Sequence, residues 1–147
     1  MPDRVVRGVD DLVADARSRI ERLAPDEAWQ AASAGRALIV DIRSDDDRRR
    51  DGIVPGSLHV PRTVLEWRVD PASGWSNPHV GNRDRRLVLI CSHGESSSLA
   101  AAALVEMGFE RAADVSGGFE AWLASDLPTA PAPQREDDGL PGMAGPE

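Results

Sequence analysis

Cys91 is the one cysteine of the chain, and its neighbours give a thiol something to do. It ends the apolar run "LVLIC" and is followed by "SHGES" and then a stretch, Ser97 to Met107, with the character of a helix. At such a strand-to-helix junction the N–H groups of the turn and of the first helical turn converge on whatever lies inside. Here that is the sulfur of Cys91. The segment therefore predicts a cradle for an anionic sulfur, with the positive end of a helix behind it. Gly94 lets the backbone curl where a side chain would clash. A lone cysteine ending a buried strand also serves simply as a small hydrophobe; the glycine-bearing loop and the helix start weigh against that use.

The elements needed to hold this junction are readable along the chain. Val9, Leu12, Val13, Ala16, Ile20 and Leu23 mark one apolar face of a helix predicted over Val9 to Leu23, with Asp10 and Asp11 at its start. "DEAWQAASAG" reads as a second short helix ended by Gly35, and "ALIVDIR" as a strand buried on both faces. "SDDDRRRDG" reads as an exposed helix or turn, most simply a solvated and self-paired surface. A turn at Pro55-Gly56 precedes a brief strand around Leu58 to Val60, limited by Pro61. Thr63 to Arg86 is irregular, a helical turn plus a long loop. "RLVLIC", the helix after it, a short strand in "RAADVSGG" and a closing helix "FEAWLASDL" complete the order. Alternating helices and buried strands predict an α/β fold, a parallel sheet with helices on both faces. Trp29 and Trp122 are expected in the core. From Pro128 onward, Pro, Gly, Ala and acidic residues leave almost nothing to bury, which predicts a disordered tail.

Composition excludes several classes of function. The 147 residues carry a net charge of -8, with 17 basic residues, every one arginine, against 25 acidic ones. That balance repels nucleic-acid phosphates over long range, so no nucleic-acid partner is expected. No apolar run approaches the roughly 18 to 20 residues that span a membrane, so no membrane partner is expected either. The acid-bearing N-terminus does not read as a secretory signal, and with a single thiol this predicts a cytoplasmic protein. One cysteine and three scattered histidines (His59, His79, His93) build no zinc pattern, so no metal is expected.

Several ordered segments together resemble the rhodanese-like (sulfurtransferase) family. "VDIR" resembles its strand ending in Asp-x-Arg. "GIVPGSLHVP" is similar to its Gly-His-Ile-Pro-Gly-Ala segment, with Ile53 where histidine is usual. "CSHGESSSLAAAAL" resembles its active loop and helix, and "VSGGFEAWLASDLP" its Gly-Gly-x-x-x-Trp ending. The Cys-x-x-Gly-x-Ser-Ser loop together with "VPRTVLEWRVDP" is similar to a bacterial single-domain subgroup. The resemblance implies a rhodanese-like parallel sheet of about five strands. Residues 1–25 then form an N-terminal helical extension that packs on the sheet or mediates dimerisation. Residues 26–128 form the rhodanese-like domain, and 129–147 a disordered acidic Pro/Gly-rich tail.

The activity implied is sulfur transfer without a cofactor. Cys91 is the nucleophile and carries sulfane sulfur as a persulfide from a small-molecule or protein donor (thiosulfate or another persulfide) to a thiol or cyanide acceptor. Ser92, His93, Gly94, Glu95, Ser96 and Ser97 bind substrate, their backbone N–H groups stabilising the persulfide. The alternative is a non-catalytic rhodanese-like module that binds a partner or senses oxidants. Many active members carry arginine two residues after the loop glycine, where this chain has Ser96. Phosphatase-like relatives need an arginine at the loop's end to grip phosphate bidentately, and Ser97 cannot supply one. Glu95 adds a negative charge that weakens capture of a dianion. Arg43, Arg62, Arg68 and Trp67 are candidate pocket residues, Arg43 also reading as half of a structural ion pair with Asp41 and the other arginines as solvated. Trp75 is a further candidate at the pocket's edge. The hydroxyls of Ser96 and Ser97 are expected to bond the sulfur, to cap the helix, or both.

Overall fold

A computed structural model describes residues 5–133. Five parallel strands form one sheet in the order β1-β5-β4-β2-β3: β1 Glu21–Leu23, β2 Leu38–Asp41, β3 Leu58–His59, β4 Leu87–Ile90 and β5 Ala113–Val115. The expected α/β fold is therefore what the chain adopts. Six α-helices and a 3₁₀ turn, Arg62–Val64, alternate with the strands.

Side-chain alternation along the central strands explains why both faces are covered. In β4, Leu87 and Leu89 enter one apolar cluster and Val88 and Ile90 the other, all fully buried. The first cluster packs under α4 (Leu65–Val69) and α5 (Ser96–Glu106); the second packs under α2 (Pro25–Ser33) and α6 (Gly118–Ala124). Trp29 and Trp122 meet edge to face across the second, their centroids 5.9 Å apart. Trp122 is fully buried and Trp29 half-buried.

Three expectations change. The helix predicted to reach Leu23 stops as α1, Val9–Ser18, and Glu21–Leu23 is instead the edge strand β1, paired with β5. Ile20 and Leu23 continue the helical spacing by coincidence; Leu23 fills a site in the sheet's core that a helix could not reach. α1 itself lies on α5, with Val13 and Ala16 buried. Second, "DDDRRRD" forms the expected short helix, α3, Asp45–Asp51, capped by the Ser44 hydroxyl, which accepts from the Asp47 N–H at 3.1 Å, but it is not wholly solvated. Arg49 and Arg50 do pair with carboxylates of the same helix, but Arg48 is buried, its Nε 3.2 Å from Asp41. Third, the tail does not leave the molecule at Pro128: Ala130 and Ile53 exchange backbone hydrogen bonds of 2.8 and 2.9 Å in an isolated antiparallel bridge. That pairing satisfies backbone groups that an apolar count does not register. The remainder of the predicted tail, 134–147, lies outside the described residues.

Successive strands step outward from β2 to β3 on one side, and from β4 to β5 and β1 on the other. The order reverses between β2 and β4, and a crevice opens beyond the carboxyl ends of strands at such a switch point. Cys91 follows β4 at that crevice, opposite Ile42 and Arg43 after β2.

Candidate active site

The thiol sits inside its own loop. Cys91 is 7% exposed, and its Sγ accepts hydrogen bonds from the N–H of Gly94 at 3.1 Å and of Ser97 at 3.3 Å. Both donors come from the turn and from the first turn of α5, so helix dipole and hydrogen bonds act on one atom. The amides of Ser92, His93, Glu95 and Ser96 make no hydrogen bond among the described residues, so further donors of the same loop stand unspent. A cleft of about 340 Å³ opens over the sulfur, lined on the loop side by Ser92, His93, Glu95 and Ser96, and opposite by Ile42, Arg43, Ser44 and Asp47.

Glycines make the curl. Gly94 has φ +83, and a Cβ there would lie 2.7 Å from the Gly117 nitrogen. The loop in turn rests on the start of α6, where the Phe119 N–H donates to the Cys91 carbonyl at 2.8 Å and the Glu120 N–H to that of Ser92 at 3.1 Å. The Gly-Gly pair before Phe119 is thus a buttress, close enough that no side chain fits between the two backbones.

Behind the loop is a second polar layer that the residue spacing did not suggest. Asp114 of β5 is fully buried and accepts from the hydroxyls of Ser97 and Ser98, each at 2.8 Å, and from Arg22 at 2.9 Å. The serine hydroxyls therefore neither touch the sulfur nor cap α5, which corrects that expectation for Ser97; only the Ser97 backbone faces Sγ. Ser96 is exposed at the cleft's edge.

Among the other candidates, Arg43 does line the cleft, with Nε and Nη2 committed and the buried Nη1 without a hydrogen-bond partner among the described residues. Nε and Nη2 donate to Asp41 at 3.0 and 2.7 Å, Nη2 also to the Gly52 carbonyl at 2.8 Å, and the group stacks 4.0 Å over the Phe119 ring. Arg62, Arg68 and Trp67 do not line it. Arg62 folds onto Glu66, four residues along, at 2.9 Å. Leu65 and Val69 turn inward on α4, which leaves Trp67 58% exposed beside Glu66 and Asp70, on a different part of the surface, as is the exposed Trp75; Arg68 is buried on its own helix. His93 bends outward to Glu120, Nδ1 to Oε2 2.7 Å, on the solvent side of the loop. Asp47 was not anticipated in the cleft. It is paired with Arg50 at 3.0 Å, and Glu95 adds a second carboxylate to the lining. A neighbouring hollow shares Ser92 and His93 and adds Asp51, whose carboxyl lies below its ordinary value because Arg50 donates hydrogen bonds to it.

A parallel sheet with one cysteine at its switch point, its sulfur bonded by two amides of the following loop, places the chain in a recognisable class of α/β proteins. Within that class, the chain belongs to the rhodanese-like domain family, whose model matches residues 24–125. It is 34% identical over 106 residues to the thiosulfate sulfurtransferase GlpE of Glaesserella parasuis, covering 72% of this chain and 89% of that one. It is 36% identical over 102 residues to the protein of the same name from Stutzerimonas stutzeri, covering 69% and 84%. A solved structure from Rhodopseudomonas palustris, of unknown function and described as a possible tyrosine phosphatase, superposes with a TM-score of 0.78 at 35% identity over 88% of this chain and 98% of that one.

Proposed function

We propose that the protein is a sulfurtransferase that carries sulfane sulfur on Cys91. The observation that carries this reading is the Cys91 sulfur itself, held by two loop amides at the end of β4, open to a cleft and surrounded by unspent N–H donors. In the first step the Cys91 thiolate attacks the outer sulfur of the donor. A bond forms between Sγ and that sulfur, the donor's sulfur–sulfur bond breaks, and its electron pair leaves with the donor as a thiolate or, from thiosulfate, as sulfite. The persulfide anion that remains takes up the amides of the loop. An acceptor thiolate or cyanide then attacks the outer sulfur, and Cys91 departs again as thiolate. The sulfur passes on without net oxidation, so no cofactor enters.

The family's named members support thiosulfate as one donor. The loop supports a persulfide as the better one, since Glu95 faces the opening and the loop has no lysine or arginine to hold a dianion. A phosphatase is disfavoured on the same ground, with serine in place of the guanidinium that grips phosphate. A thiol that must stay free to cycle fits a reducing compartment, which supports the cytoplasm.

Intact mass spectrometry of the reduced protein with thiosulfate and with a protein persulfide tests the reading. The expected result is gain of one sulfur atom, fastest from the persulfide and absent in Cys91→Ser. Failure of every donor to load Cys91 would refute it. In Ser96→Arg, a guanidinium at ~6 Å from a dianion in water is expected to speed thiosulfate loading about tenfold at low salt, with the gain shrinking as salt is added.

A further inference from the structure

The loop lacks a cation of its own, yet two arginines reach it from behind. Arg17, in the last turn of α1, donates from Nη2 to the Gly94 carbonyl at 2.9 Å and from Nε to the Ser98 hydroxyl at 3.0 Å. Arg22 of β1 donates to the same carbonyl at 2.8 Å, and to Asp114, the residue beside it in the parallel register, at 2.9 Å. Both side chains are part-buried, and both precede residues 24–125, the span matched by the family model. Arg22 is balanced by Asp114. Arg17 has no carboxylate partner among the described residues, so the cluster keeps one positive charge on the far side of a single peptide group.

That peptide group joins Gly94 to Glu95. Its trans planarity sets the Glu95 N–H opposite the Gly94 carbonyl. With the carbonyl drawn toward α1 and β1, the N–H is turned to the cleft side, where the Glu95 amide has no protein acceptor. Guanidinium donors on the oxygen also polarise the amide and strengthen its N–H as a donor.

We propose that Arg17 and Arg22 are positioning residues for the sulfur-transfer reaction. They aim and polarise the Gly94–Glu95 peptide so that its N–H is free to receive the outer sulfur of a Cys91 persulfide, and they supply from the N-terminal segment the positive charge the loop lacks, which also favours the thiolate. The inference rests on the sulfur-transfer reading for its persulfide half, but its effect on the thiol is measurable without any sulfur donor.

Arg17→Gln is the clean variant, because Asp114 keeps Arg22, Ser97 and Ser98. Two readouts are needed: the rate of Cys91 alkylation by iodoacetamide across pH, and the rate of sulfur loading from the best donor. Arg17→Gln is expected to displace the alkylation profile to higher pH and to slow loading about tenfold, the size of one charged hydrogen bond, without a matching change in KM. Arg17→Lys, which keeps the charge and a donor, should recover most of both. Arg19→Gln, which removes an exposed arginine paired with Asp15 on the solvent side, should change neither. An unchanged profile in Arg17→Gln, or a lysine variant as impaired as the glutamine one, overturns the proposal. Should the wild type load no sulfur while its profile still moves on Arg17→Gln, the positioning role stands and the sulfur-transfer reading fails.

Discussion

Gly118 is where the active loop is most tightly held, and replacing it with alanine tests whether that contact sets the thiol's geometry. The residue has φ +63, and a Cβ built on it would lie 2.5 Å from the Cys91 carbonyl oxygen, 2.7 Å from the Gly94 nitrogen and 2.7 Å from the Ser92 carbonyl carbon. All three are backbone atoms of the loop, so no side chain can swing aside. Left-handed backbone costs alanine about 1–2 kcal/mol, and forcing extra volume into packed structure about 1–3 kcal/mol more. The expected loss for Gly118→Ala is thus about 2–5 kcal/mol in urea unfolding. Gly35→Ala is the control: φ is +75 there but nothing lies within 4 Å, so only the backbone cost of about 1–2 kcal/mol applies. Because relief of the clash must push the loop outward, the Gly94 N–H should leave Sγ, and Cys91 alkylation at neutral pH should slow in Gly118→Ala alone. If the two variants lose equal stability and alkylate alike, the buttress does not position the loop.

Further outcomes follow from the charged groups around the cleft. Asp41 is fully buried between Arg43 and Arg48, so Asp41→Asn should cost about 3–5 kcal/mol by taking the charge partner from the buried guanidinium of Arg43. A loss in urea unfolding no larger than that of an exposed ion pair, below about 1 kcal/mol, would contradict this. Asp51 should titrate by NMR below the ordinary carboxylate midpoint of about 3.9, because Arg50 stabilises its ionised form. The sign follows: a lowered folded-state value gives stability present above the ordinary midpoint and lost as pH falls through the folded one. Arg50→Gln should return the midpoint to the ordinary range, and a wild-type midpoint already there would show that the pair does not form.

Much of the fold was legible because it depends on local pattern. Near-continuous apolar runs such as "RLVLIC" can be satisfied only by burial on both faces, and the glycine and small residues after Cys91 admit few paths other than a turn into a helix. α1 shows the limit of such reading: Ile20 and Leu23 keep a helical spacing, yet the chain turns after Ser18 and gives Leu23 to the sheet. Arg62, Arg68 and Trp67 show it again. Their types suited a pocket, but the inward turn of Leu65 and Val69 decides which way α4 presents them.

The thiol, its place at a strand end and its ring of main-chain donors were determined by the sequence alone, because neighbours in the chain make them. What stands behind that ring was decided only by tertiary structure. Arg17 meets Gly94 across 77 residues, and Arg22 meets Asp114 across 92. No spacing encodes those meetings; they exist because parallel pairing of β1 with β5 sets Arg22 beside Asp114 and because α1 packs on α5.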